Sequence, residues 1–255
     1  MITLAGADIE LGNFILGGDR TAGSAREAAR ALLREIPGVP AYARGNTTGF
    51  DAQDWGRKFL PSNSSSFYID LDHLECCLPE VSSARQHVAA WHAVLRIAGQ
   101  ALADANAKLP AGQTIQLLAN NSDGHSHFYG SHLDFLVTRR TWDNLFERKL
   151  HHLLFLASFF ASSIVITGAG KVGAENGRPD VAYQLSQRAD AFETLVGSQT
   201  TYHRPIVNSR DGSTPPSYDG RAPPAATATA IAAPVVQRAP MRPLCLLAVA
   251  LAGAC

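Results

Sequence analysis

The composition of this chain changes abruptly at Asp211, and that break limits what can fold. Up to Asp211, segments of helical or strand periodicity alternate with polar turns. Gly212–Arg238 is instead Pro, Ala, Thr and Ser, with few large apolar side chains. Such a stretch buries too little apolar surface to offset the entropy of ordering. The expected organisation is one domain over 1–211 and a low-complexity, disordered tail over 212–255.

Bulk properties exclude some functions. Of 255 residues, 46% are hydrophobic, enough for a packed core, and 17% are charged. Lys plus Arg and Asp plus Glu both number 22, so no basic excess points to nucleic acid. The four cysteines, at 76, 77, 245 and 255, show no CxxC spacing for zinc. The first residues carry acids and no basic n-region, unlike a signal peptide. The apolar runs Leu153–Phe160 and Leu244–Ala254 fall short of the roughly 20 residues that cross a bilayer. The expectation is a cytoplasmic, reduced protein with neither membrane nor nucleic acid as partner.

Periodicity predicts a strand near Met1–Gly17 and a helix over Ala22–Glu35. Gly45–Ser66 reads as a long loop with a short strand near Lys58–Leu60, followed by a strand at Phe67–Leu71. Pro79–Ala107 carries the clearest helical stripe, and Thr114–Ala119 reads as a buried strand. Thr141–Ser163 is expected as helix, in one or two pieces, with FLASFFA buried. Ser163–Thr167 is expected as a strand before the Gly-rich GAGKVG.

Three polar segments could carry chemistry. In GADIELG, strand period places Asp8 and Glu10 on one face, where paired carboxylates suit an oxygen-preferring cation such as Mg2+. In FYIDLDHLECCLPE, Tyr68, Asp70 and Asp72 alternate and Glu75 follows at the expected strand end. Such positions suit a metal ligand or general base. An exposed strand face produces the same pattern in both segments. His73 with Cys76 and Cys77 lacks spacing for a soft-metal site. In NNSDGHSHFYGSHLDF, His125, His127, His132, Asp123 and Asp134 are chemically suited to zinc. The glutamate and Pro-Cys-x-x-Cys element of zinc deaminases do not follow, and a polar loop across a site is the other reading. GAGKVG lacks the full phosphate-loop pattern, and a βα or ββ turn fits equally. Arg188, Asp190, Glu193, Arg204 and Arg210 cluster beyond it, and arginine suits bidentate phosphate contact.

In this order, NNSDG…YGSH, TGAGKVG, YQLSQRADAFETLVG and RPIVNSRD resemble blocks of the Pup deamidase (depupylase) and Pup ligase family. GADIELG and FYIDLDHLECCLPE are similar to that family's opening strand and metal-binding segment, and the likeness spans about residues 4–211. TGAGKVG and RADAFE look closer to the deamidase branch. The resemblance implies an α+β fold, a glutamine-synthetase-like curved antiparallel sheet with helices on one face, present here only in its N-terminal part. It implies ATP and Mg2+ as cofactors, and Pup or a Pup-like protein and pupylated substrates as partners. The implied reaction is deamidation, depupylation or ligation at Pup's C-terminal Gln or Glu.

Carried over by motif, Asp70 is the catalytic carboxylate, and Asp8, Tyr68 and Glu75 are the metal positions. Ser66, Leu78 and Arg210 fall at nucleotide-contacting positions. The family's arginine is replaced at Ser66 and its threonine at Leu78, and its His-Glu-Asn becomes His132-Leu133-Asp134. The pattern stops after Arg210-Asp211, which reads as a truncated or frameshifted reading frame. The other reading that follows is a catalytically impaired remnant that binds Pup or a related peptide.

Overall fold

The computed structural model describes residues 4–17, 24–40, 56–119, 122, 128–198 and 203–209, and the backbone of 226–232. The first half of the loop expected over Gly45–Ser66, residues 45–55, lies outside these residues, as do Asp123, His125, His127 and Arg210.

The strands are β1 (Ala5–Leu16), β2 (Val39–Pro40), β3 (Lys58–Phe59), β4 (Ser66–Asp70), β5 (His73–Cys77) and β6 (Thr114–Leu118). They continue as β7 (Ser131–Val137), β8 (Lys171–Gly173), β9 (Val181–Gln184), β10 (Phe192–Gly197), β11 (Arg204–Asn208) and β12 (Ala226–Ala232). The helices are α1 (Ser24–Glu35), α2 (Ala84–Asn106), α3 (Arg139–Asp143) and α4 (Leu150–Thr167). Among the described residues, one sheet has the order β10-β11-β12-β7-β1-β5-β4-β3-β2, with β6 also on β1 and β8-β9 a separate hairpin. This is the expected α+β arrangement of helices with an antiparallel sheet. One pair departs from it, since β10 and β11 run parallel.

Two-residue periodicity divides β1, β4 and β5 into an apolar and a polar face. Ile9, Leu11, Phe67 and Leu74 are fully or almost fully buried in one core, packed with Leu32 of α1 and Val94 and Ala98 of α2. Each such side chain contributes about 1.5–3 kcal/mol by leaving water. Asn13 ties this layer together. Its amide donates to the carbonyls of Ala25 and Asp72, and its side-chain oxygen accepts from the Leu74 amide at 2.8 Å. One buried polar side chain thus pins β1, the entry to α1 and the β4–β5 connection.

Three elements differ from their expected form for local reasons. The helix expected from Pro79 starts at Ala84, because Ala5 and Val81 exchange backbone hydrogen bonds, each 2.8 Å. Ser83 caps the first turn, accepting from the Gln86 amide, while Gln86 accepts from the Ser82 amide. The strand expected at Ser163–Thr167 is the last part of α4. The Ser163 and Thr167 hydroxyls donate to the carbonyls of Phe160 and Ser163, and the helix continues through a β-branched run whose Val165 and Ile166 are exposed. The third difference lies in the expected tail, where Ala226–Ala232 pairs along β7 and also joins β11. Small alternating Ala and Thr residues satisfy the backbone of two neighbours without needing a large apolar face.

FLASFFA is only partly buried. Leu153, Ala157 and Phe160 pack with Val207 of β11, whereas Leu154 and Phe155 are exposed. Because α4 absorbs the SIVIT segment, its 18 residues are long and apolar enough to cross a bilayer by length and composition. That is a longer run than Leu153–Phe160 alone.

Gly168 ends α4 where the chain doubles back on β9. A Cβ there would lie 2.0 Å from the Leu185 carbonyl oxygen and 2.6 Å from that of Ile164. Gly168→Ala is expected to cost about 2–4 kcal/mol, measured by urea unfolding at equilibrium. An unchanged midpoint would show that this turn moves freely.

Candidate functional site

The polar face of the sheet collects the carboxylates. β4 and β5 form a hairpin that turns at Leu71-Asp72, with Leu71 at φ +50°. Asp72 therefore leaves the strand face and pairs with Arg26 at 2.6 Å. The same turn places Glu75 in the middle of β5 rather than at a strand end, directly across from Tyr68. On the other side of β5, Glu10 of β1 stands opposite Glu75, and Asp8 opposite Cys77. Next across the sheet, His132 of β7 stands opposite Asp8.

Glu10, Asp70 and Glu75 converge: one oxygen from each lies within 4.8 Å of the others. Burial pushes the Glu75 carboxyl up to about 8, reinforced by the negative charges of Asp8, Glu10 and Asp70, with a Tyr68 hydrogen bond opposing. Burial also holds the Tyr68 phenol far into its protonated range, aided by Glu75 and Cys77. Tyr68 is thus a neutral hydrogen-bond donor to Glu75 at ordinary pH. An oxygen-only set with this much mutual repulsion fits a hard divalent cation, which would relieve the repulsion. Asp8, Tyr68 and Glu75 share this face, but Glu10 rather than Asp8 joins Asp70 and Glu75 in the tight cluster. Glu10 is held in place by the Gly130 amide, which donates to it at 2.7 Å.

Asp8 has a different partner. Its Oδ1 lies 2.6 Å from Nδ1 of His132 and accepts the His132 backbone amide at 3.1 Å. Burial alone would lower the imidazole, but Asp8 outweighs it and raises His132 to about 9. His132, one of the residues weighed as a zinc ligand, is therefore a half-buried cation paired with a carboxylate. Cys77 lies beside this pair, its thiol raised to about 11 by burial and by Asp8 and Glu75. Cys76, the next residue, points into the core.

The positions expected at the nucleotide separate. Ser66 is buried on β4 and accepts from Nη1 of Arg57 at 3.1 Å. The Arg57 guanidinium also lies 3.7 Å from the centroid of the Tyr68 ring, a cation–π contact beside Ser66. Leu78 packs in the apolar core. Arg57 carried no signal in the sequence, since only the fold places it over Tyr68.

Arg188 is the largest fully buried side chain among the described residues, at 1% exposure. Its Nε and Nη1 have no hydrogen-bond partner, and its Nη2 and Glu10 Oε1 lie 3.3 and 3.4 Å from the point a Cβ on Gly130 would occupy. Burial and nearby Arg204 lower Arg188 to about 10, against the attraction of Glu10. Unmet guanidinium donors in a buried setting are costly. Their placement against the carboxylate cluster fits the anionic part of a ligand, phosphate included. The GAGKVG segment is neither a βα nor a ββ turn, since it follows the end of α4 and runs into β8. Its Gly170 amide donates to the Leu185 carbonyl, and β8 pairs with β9 just before the turn that carries Arg188.

The Pup-ligase protein family model matches residues 23–218. A depupylase from Acidothermus cellulolyticus is 42% identical over 151 residues, which is 59% of this chain and 28% of that protein. A Pup–protein ligase from Xylanimonas cellulosilytica is 34% identical over 213 residues, 81% of this chain and 41% of that one. The crystal structure of the complex between prokaryotic ubiquitin-like protein Pup and its ligase PafA superposes with a TM-score of 0.62. It covers 99% of this chain and 46% of the matched chain at 24% identity, a likeness of fold. The chain thus spans less than half the length of these relatives.

Proposed function

The chain belongs to the Pup-ligase protein family, and from that premise we propose that it acts on the C-terminal Gln or Glu of Pup with Mg2+ and ATP. The observation that carries the reading is the convergence of Glu10, Asp70 and Glu75 on a polar sheet face with the unpaired donors of Arg188 beside it. Residues that would hold Mg2+ are Glu10 and Glu75, with Asp8 and Tyr68 on the same face. Bound there, the cation would supply charge neutralisation for phosphate or a developing oxyanion.

The protein's own groups divide the remaining work. Asp70 ends β4, where the strand fixes its direction and the following turn leaves access. It serves as base or nucleophile toward the terminal carboxamide or isopeptide carbonyl. Tyr68 donates to Glu75 and keeps that carboxylate oriented. The Asp8–His132 ion pair is net neutral and commits Asp8 to the imidazolium at the β1–β7 side of the site. Arg188 offers its guanidinium to phosphate, and the Arg57–Ser66 contact would supply a polar edge to the nucleotide; Arg210 lies outside the described residues. The wording of TGAGKVG and RADAFE, closer to the deamidase branch, favours removal of Pup or its deamidation over ligation.

Calorimetric titration of the full chain with ATP, with and without Mg2+, tests the reading. Saturable binding that requires Mg2+ is expected. Pup binding without any nucleotide binding would favour the impaired, peptide-binding reading, for which the core position of Leu78 is the supporting observation.

A further inference from the structure

We propose that Lys171 is a positioning residue for Arg188: by occupying the Asp190 carboxylate, it leaves the guanidinium two residues earlier on the same turn available for an anionic ligand. This rests on the reading of Arg188 as an anion contact.

Lys171 is 3% exposed, and its Nζ donates to Oδ2 of Asp190 at 2.7 Å. The other carboxylate oxygen, Oδ1, accepts from Nε2 of Gln184 at 2.8 Å. The Asp190 carbonyl accepts from Nη2 of Arg178 at 3.0 Å. The β8–β9 hairpin and the segment joining its strands thus claim both side-chain oxygens and the carbonyl of Asp190. Arg188 shares the short helical turn Gln187–Ala191 with Asp190, yet its Nε and Nη1 remain without partners.

A buried ammonium is expensive unless its partner needs it. Here the need is local. Without Lys171, the Asp190 carboxylate would lose its shortest side-chain partner and keep the Gln184 amide and the nearby Arg178 charge, within one turn of a buried guanidinium. The least costly relief is for Arg188 to turn toward Asp190 and give up its free donors. The glycines of GAGKVG complete the device. Gly168 permits the close backbone approach to Leu185, and Gly170, at φ +75°, donates its amide to the Leu185 carbonyl just before Lys171.

A competing account makes Lys171–Asp190 a plain structural strut, and the two accounts differ in their response to losing Asp190. The test uses the full chain and the variants Lys171→Met, Asp190→Asn, Lys171→Met/Asp190→Asn and, as reference, Arg188→Lys. Inorganic phosphate and Mg-ATP are titrated by calorimetry, and the Nε–H signal of Arg188 is followed by NMR. Lys171→Met is expected to weaken phosphate binding about tenfold, with the double variant recovering most of that loss. Asp190→Asn should bind at least as well as wild type. The Arg188 signal should move to a carboxylate-bound position in Lys171→Met alone and return in the double variant.

The proposal is overturned if the Arg188 signal is the same in Lys171→Met and wild type. It is also overturned if Asp190→Asn weakens binding as much as Lys171→Met, which is the strut's signature. If wild type binds neither phosphate nor ATP, the anion reading of Arg188 fails, and the NMR comparison still decides whether Lys171 keeps Asp190 from Arg188.

Discussion

Asp70→Asn is expected to lower turnover of Pup ending in glutamine, and of a Pup–lysine conjugate, by about a thousandfold or more relative to the unaltered chain. The amide keeps the size and one acceptor of the carboxylate but loses its basicity and nucleophilicity. Asp70 lies at the end of β4 with an oxygen within 4.8 Å of oxygens of Glu10 and Glu75. Glu10 and Glu75 are the carboxylates proposed to hold Mg2+, so the loss of Asp70 should leave the fold and Mg-ATP binding largely in place. Circular dichroism and the ATP titration provide that control. Retention of more than a tenth of the unaltered turnover would remove Asp70 from the catalytic role.

Glu75→Gln should produce opposite effects on metal binding and on stability. Replacing one of the two carboxylates proposed to hold Mg2+ is expected to weaken its binding by about a hundredfold, measured by calorimetry. Without metal, the same change should stabilise the protein at pH 8. The sign follows from linkage. The folded-state value of Glu75, about 8, lies above its ordinary 4.5, because burial and the surrounding carboxylates disfavour its charge. The stability it contributes is fully present below pH 4.5 and lost as pH rises through about 8. The metal-free protein should therefore lose stability across that window, and Glu75→Gln should flatten the slope and raise Tm at pH 8 by several degrees. Saturating Mg2+ should flatten it in the unaltered protein as well. An equal slope in both proteins without metal would show that the cluster carries no such strain.

The hairpin and the helices show where sequence reading reaches its limit. Tyr68, Asp70 and Glu75 were legible as chemistry-bearing residues, and Asp8 and Glu10 as sharing a strand face, because two-residue alternation is a local property. That Glu75 stands across from Tyr68 depends on a turn at Leu71-Asp72, which has no glycine and holds Leu71 at φ +50°. That Glu10 rather than Asp8 meets Asp70 depends on the β1–β5 register. Register is set by which faces are buried, and hence by the whole core. SIVIT has the composition of a strand, but the α4 packing of Leu153, Ala157 and Phe160 carries it as helix. Local propensity differences are small beside such burial.

The sequence by itself determined the alternation of apolar and acidic residues that makes a two-faced sheet, the family blocks up to Asp211, and the change in composition that follows. It could not place Arg188 or Arg57. An arginine in a polar stretch reads as a solvated charge, and only tertiary structure decides whether it is buried with unmet donors or stacked on a ring. The break at Asp211 was likewise visible as composition, yet Ala226–Ala232 still pairs with β7 and β11. Strand pairing is satisfied by backbone groups that every residue but proline offers in full, so it leaves little trace in side-chain pattern.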